Sequence, residues 1–210
     1  YMLAVLFGLV LPALLILIRD LLNDTVSGER DLQKATLAPL LGGIAFSRSR
    51  KNIVMTNKSR SAVAESFRLL RTNVQFILPP DVGAGNTILI TSGSSGDGKT
   101  FVTANLGIAL AISGKKTVLI ELDLRKPKLA QYLGYNSGEK GITNYLLGHA
   151  GISDIIRPTT LHENLFFISC GPIPPNPAEL ILSPVLDGLF EQLQADFDYI
   201  LIDTSPVGLV

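Results

Sequence analysis

Thr87-Ile-Leu-Ile-Thr-Ser-Gly-Ser-Ser-Gly-Asp-Gly-Lys-Thr100 is the stretch on which the fold turns. Its first five residues are a short β-rich apolar run. A glycine-rich loop comes next, and then a helix-like segment over 101–112. Residues 93–100 fit the pattern G-x-x-x-x-G-K-[ST] at every fixed position. Glycines at such a loop let backbone N–H groups turn inward where a Cβ would obstruct, which suits the phosphates of a nucleotide. Lys99 supplies a positive charge for the β and γ phosphates, Thr100 a hydroxyl for Mg²⁺, and the helix that begins there its positive dipole end. A strand before and a helix after are the context that this motif needs. Nucleotide binding is therefore expected on Gly93, Ser94, Ser95, Gly96, Asp97, Gly98, Lys99, Thr100 and the adjoining Phe101.

Strand-like and helix-like segments alternate outward from the loop. Residues 117–122, 165–169 and 199–202 read as further buried strands, and 184–197 as a helix. Apolar strands without alternation, separated by helices, predict an α/β fold with a mostly parallel sheet covered on both faces. Upstream, 62–78 reads as an amphipathic helix with Val63, Phe67, Leu70, Val74 and Ile77 on one stripe, stopped by Pro79 and Pro80.

Two strand ends carry carboxylates. Val118-Leu-Ile-Glu-Leu-Asp-Leu-Arg125 places Glu121 and Asp123 two apart, on one face if the strand period holds. Tyr199-Ile-Leu-Ile-Asp203 is an apolar strand capped by an acid, the Walker B arrangement that holds Mg²⁺. Ligands in open parallel sheets bind beyond the carboxyl ends of the strands. Glu121, Asp123 and Asp203 are therefore expected beside the phosphates, the alternative for the first two being solvated strand-end residues.

The amino-terminal end has a different character. Residues 1–18 contain no charge, and Arg19 and Asp20 close the run. A transmembrane helix is expected there, short of the usual ~20 residues and reading as cut at the first residue. A signal peptide lacks its basic leading region and small-residue cleavage site here, and a buried core helix lacks a polar face. Residues 19–60 hold eight Lys/Arg against four Asp/Glu, and five of the basic residues fall in 47–60, which has no acid. Positive charge after a span predicts that the remainder of the chain faces the cytoplasm. The expected domains are thus a span over 1–18, a juxtamembrane linker over 19–61 and a catalytic domain over 62–210. With 18 basic and 18 acidic side chains, the chain is not built for nucleic acid. The single cysteine, Cys170, excludes an internal disulfide, and His149 and His162 have no ligand spacing around them.

These motifs together resemble the bacterial tyrosine kinases (BY-kinases) of the polysaccharide co-polymerase family, which are related in fold to the MinD/ParA ATPases. The glycine-rich loop resembles that family's Walker A motif, and Glu121-Leu-Asp123-Leu-Arg125 its Walker A′, usually D-x-D-x-R. Asp203-Thr-Ser-Pro206 resembles its Walker B ending. Glu65-Ser-Phe-Arg68-Leu-Leu-Arg71 matches its E-x-x-R-x-x-R assembly helix. The segment 171–180 and the Gly8 and Pro12 of the apolar run are also similar to family features. Two departures stand out: Glu121 replaces the usual Asp, and Ser94 stands where MinD/ParA proteins carry a signature lysine. The sequence stops seven residues after Asp203, so it reads as a fragment without the family's last helix, last strand and terminal tyrosine cluster.

The resemblance implies phosphoryl transfer from Mg-ATP to tyrosine hydroxyls on a neighbouring subunit of a homo-oligomeric ring. Lys99, Glu121, Asp123 and Asp203 are the implied catalytic residues. Thr100, Asp123 and Asp203 would hold Mg²⁺, Arg125 would meet phosphate or steady its loop, and Glu65, Arg68 and Arg71 would mediate assembly. Capsule or exopolysaccharide polymerisation and export, with a tyrosine phosphatase as partner, would be the process controlled at the inner membrane. The alternative is an ATP-driven conformational switch that phosphorylates no tyrosine. A structural chain-length regulator is a third reading, opposed by the intact Gly98-Lys99-Thr100.

Overall fold

The computed structural model describes residues 1–22, 28–46, 51–79, 84–136 and 139–209. Two compact units divide at Leu40 and Leu41. The first unit contains helix α1 (Met2–Leu21), which has Pro12 inside it, and the short α2 (Glu29–Ala35). Large apolar side chains along α1, among them Phe7, Leu9 and Ile16, are exposed. Among the described residues no helix is long and apolar enough to cross a membrane, the side chains of Leu3 and Ala4 lying outside them. Arg48 and Arg50 of the basic stretch, and Pro80 after the amphipathic helix, also lie outside the described residues.

The second unit is an α/β sandwich. In chain order it comprises α3 (Ala62–Ile77), β1 (Asn86–Ile90), α4 (Lys99–Ile112), β2 (Thr117–Glu121), α5 (Leu129–Tyr132), α6 (Ile142–Leu146), α7 (Ile152–Ile155), β3 (Ile156–Pro158), β4 (Leu165–Ile168), α8 (Pro177–Ile181), α9 (Val185–Asp196) and β5 (Tyr199–Asp203). The sheet order is β1-β5-β2-β4-β3, parallel except for β3 against β4. In β2, Leu119 joins a core with Phe67 of α3, Ala104 and Ile108 of α4 and Phe167, whereas Val118 and Ile120 join Leu189 and Leu193 of α9 on the opposite face. Strands covered on both sides need apolar residues at every position, which is why β2 and β5 read as unbroken runs. Register Glu121↔Asp203 and Ile90↔Asp203 brings three strand ends level.

Three features depart from the sequence reading. β3 is missing from it, because three residues ending in Pro158 carry no periodic signal. β1 is not covered on both faces: Leu89 is 61% exposed. The compact unit also begins before Ala62. Met55 is buried, and the buried Asn105 of α4 accepts from the amides of Val54 (2.8 Å) and Met55 (3.1 Å) while donating to Asn52 O and Phe101 O (both 2.9 Å). One side chain thus docks part of the expected linker onto the core. α3 starts where Ser61 accepts from the amide of Ala64.

Candidate nucleotide site

The loop between β1 and α4 needs glycine for its geometry. Gly96 and Gly98 adopt φ +97° and +96°, a region that L side chains rarely enter. A Cβ built on Gly93, Gly96 or Gly98 would meet nothing within 4 Å, so the loop encloses open space that side chains would fill. Asp97 Oδ2 accepts from the amide of Ser94 (2.9 Å), and Ser92 Oγ donates to Ser94 O (2.7 Å). Lys99 Nζ donates to Ser92 Oγ at 3.0 Å, so the lysine is held back over the loop that it closes. The roles of Ser92 and Asp97 within the loop have no sequence signal. Ser92 lies outside the motif, and Asp97 occupies one of its unconstrained positions.

The helix start and two strand ends meet at carboxylates. Thr100 Oγ donates to Asp203 Oδ2 at 2.7 Å, tying α4 to the end of β5. Asp203 is 1% exposed, and its Oδ1 is buried with no hydrogen-bond partner. Burial pushes its carboxyl up to about 6, with the charges of Asp123 and Glu121 adding and the Thr100 hydroxyl and Lys99 opposing. A buried, unsatisfied carboxylate oxygen beside a threonine hydroxyl fits a divalent cation, the partner that such an oxygen lacks. Among the described residues no cluster of three His, Cys, Asp or Glu could hold a metal alone. Mg²⁺ does not need one, since it usually keeps waters and uses one or two carboxylates with substrate phosphates.

Asp123 lies past the end of β2, half-buried, and lines the cavity over the glycine loop together with Lys99, Thr100, Phe101 and Arg125. Its Oδ1 accepts from Ser205 Oγ (2.9 Å) and from the amides of Lys126 (3.1 Å) and Arg125 (3.2 Å). Sequence reasoning missed Lys126, Lys128 and Tyr132, which line the same cavity of about 290 Å³. Nothing in their spacing distinguishes them from solvated loop residues.

Glu121 is engaged differently. β2 ends at Glu121 and the chain turns at once, Leu124 N donating to Leu122 O, so the period of two does not carry through to Asp123. The Glu121 carboxylate is buried against backbone amides of Leu129, Ala130 and Cys170 and is absent from the cavity lining. Burial raises its carboxyl above the ordinary range, against the lowering effect of those three amides.

The helix α3 ridge is partly committed within the chain. Glu65 pairs with Arg68, whose second nitrogen donates to Ser59 O, and Arg71 Nη1 donates to Ala109 O of α4 at 3.3 Å. Glu65 stays exposed, and beside it the outward face of α3 carries exposed Leu69 and Phe76.

Residues 85–209 match the family described as an AAA domain. The chain is 38% identical over 160 residues to a tyrosine-protein kinase, CpsD, of Streptococcus agalactiae, covering 75% of this chain and 67% of that one. Its structure resembles the kinase domain of the Escherichia coli tyrosine kinase ETK, with a TM-score of 0.80 at 26% identity over 89% of this chain and 75% of the other. It also resembles the cell-division ATPase MinD of Pyrococcus furiosus, with a TM-score of 0.50 at 33% identity over 57% and 49% of the two chains. On this agreement of sequence, sheet topology and glycine loop, the chain belongs to the bacterial tyrosine-kinase family of MinD-like P-loop proteins.

Proposed function

We propose that this chain is the ATP-binding catalytic part of a membrane-anchored protein-tyrosine kinase, transferring the γ-phosphoryl group of Mg-ATP to tyrosines of a neighbouring copy. The observation that carries the reading is the convergence of Lys99, Thr100 and Asp123 on one cavity over the glycine loop, with Asp203 bonded to Thr100. Phosphoryl transfer asks a protein mainly for positioning and charge neutralisation. Lys99 leaves Ser92 for the β and γ phosphates, and loop amides wrap them. Thr100, Asp203 and Asp123 would hold Mg²⁺, which supplies neutralisation of the phosphate charge when bound. Asp123, which lines the cavity, would accept the tyrosine proton. Arg125, which lines the same cavity, would meet phosphate oxygens.

Three wider features belong to the same proposal. The uncharged run over 1–18 and the exposed apolar side chains of α1 support a membrane anchor, with the basic stretch placing the catalytic unit on the cytoplasmic side of an inner membrane. The Glu65-Arg68-Arg71 ridge supports assembly into a ring. Likeness to CpsD, a name given to a tyrosine-protein kinase, together with the family resemblance, supports a role in capsule or exopolysaccharide polymerisation and export. The competing reading is an ATP-driven switch of the MinD kind without tyrosine phosphorylation. Lys99→Met tests the site: transfer of labelled γ-phosphate to protein should disappear while the circular dichroism spectrum stays unchanged. Labelling at the wild-type rate in that variant would remove the site from the chemistry.

A further inference from the structure

We infer that Glu121 is a positioning residue that pins the cationic wall of the nucleotide cavity to the ends of β2 and β4, and takes no part in metal binding or proton transfer. This rests on the assignment of that cavity to a nucleotide. Glu121 Oε1 accepts from the amides of Leu129 (2.6 Å) and Ala130 (3.3 Å), and Oε2 from the amide of Cys170 (3.1 Å). Both oxygens therefore accept from backbone donors, three in all, in a residue 1% exposed to solvent. Lone pairs engaged by these amides are withdrawn from proton transfer and metal binding.

The geometry shows what the carboxylate holds instead. The segment 125–130 carries Arg125, Lys126 and Lys128 on its exposed side, where all three line the cavity. Asp123 grips its beginning through the amides of Arg125 and Lys126, and Glu121 grips its end through those of Leu129 and Ala130. Pro127, between the two grips, has no N–H to offer. On its other side Glu121 holds Cys170, next to Ser169 and Cys170 carbonyls that accept from Ile142 and Thr143 at the start of α6. One carboxylate thus joins three segments. Glutamate reaches both Leu129 and Cys170 from the end of β2, and aspartate, one methylene shorter, draws both oxygens back toward the strand. Length is therefore the property under test, and it separates the two accounts. Chemistry at this position predicts that Asp outperforms Gln, because Asp keeps the charge. A brace predicts that Gln outperforms Asp, because Gln keeps the reach and one acceptor for Leu129 and Ala130.

The test uses the full chain and two readouts independent of phosphoryl transfer, so that failure here and failure of the kinase reading are distinguishable. These are amide hydrogen exchange, and ADP affinity titrated against Mg²⁺. In Glu121→Gln, exchange at Leu129 and Ala130 should stay within twofold of wild type, and ADP affinity and the half-saturating Mg²⁺ concentration likewise. In Glu121→Asp, exchange at Leu129 and Ala130, or at Cys170, should accelerate at least tenfold and ADP bind at least fivefold more weakly. Asp123→Asn, the metal-site control, should raise the half-saturating Mg²⁺ concentration more than tenfold. If Glu121→Gln raises that concentration as far as Asp123→Asn does, Glu121 is a metal-site residue and the inference is wrong. If Glu121→Asp lowers the melting temperature yet binds Mg-ADP like wild type, Glu121 is structural only and the inference is equally wrong.

Discussion

Replacing Asp203 by Asn should stabilise the metal-free protein at pH 8 while removing its activity. Asp203 sits at the end of β5 with one oxygen on Thr100 and the other buried without a partner. Its carboxyl rises from the ordinary 3.8 to about 6, first through burial and then through the charges of Asp123 and Glu121. The folded chain therefore holds this proton up to about pH 6, whereas the unfolded chain releases it at the ordinary carboxylate value. Stability consequently falls as pH rises across that window, and the loss is complete above it. A rise of this size corresponds to about 3 kcal/mol. Asparagine removes the charge and keeps an acceptor for Thr100, but it places an amide where Oδ1 has no partner, at a cost of roughly 1–2 kcal/mol. The expected net gain is about 1–2 kcal/mol, or a melting temperature higher by about 2–8 °C for a unit of this size. Thermal melts followed by circular dichroism in EDTA, from pH 4 to 8, measure it. The gain should shrink as pH falls through this window and reverse toward pH 4, where the folded carboxyl is protonated and only the cost of the unpartnered amide remains. Adding Mg-ADP should reverse the ranking, since wild type alone gains the full metal site. An Asn variant that melts below wild type at pH 8 without metal, or a difference that ignores pH, would mean that Asp203 bears no destabilising buried charge in the folded chain.

Further outcomes concern the packing. Replacing Glu65, Arg68 and Arg71 together by Ala should leave a folded, ATP-binding monomer by light scattering. It should cost only about 1–3 kcal/mol of stability from the lost bonds to Ser59 and Ala109; an unchanged mass over a wide concentration range would make the ridge a solvated face. Asn105→Ala strips partners from two amides and two carbonyls and should cost about 2–4 kcal/mol in urea melts. It should also open the segment around Met55 to proteolysis. Gly107→Ala should destabilise by about 1–3 kcal/mol despite alanine's better helix propensity, because its Cβ would press into the fully buried Leu119.

What the sequence disclosed and what it withheld differ in range. The glycine loop was legible because its requirement is local: Gly96 and Gly98 need positive φ, and Lys99 and Thr100 come at fixed offsets. β2 and β5 were legible because strands covered on both faces must be apolar throughout. The Asp203–Thr100 pair was half legible, as a strand-capping acid and a motif hydroxyl whose 2.7 Å meeting only the sheet register makes. Glu121 was legible as a strand-end acid, but its three amide partners, one of them forty-nine residues away, were not. Asn105 was illegible because its partners lie about fifty residues away, and no pattern along one helix encodes them. Lys126 and Lys128 were missed because a loop's aim depends on its two grips, one of which is Glu121 itself.

Phosphate balance separates tyrosine phosphorylation from ATP turnover alone. The full chain would be incubated with γ-labelled Mg-ATP and an acidic tyrosine-containing copolymer, with Lys99→Met alongside, and the label divided among free phosphate, phosphotyrosine and other phosphoamino acids. The account predicts acid-stable label on tyrosine, of the copolymer or of the chain, that needs Mg²⁺ and disappears in Lys99→Met. Label released wholly as free phosphate, with none on tyrosine, would contradict it and leave an ATP-driven switch.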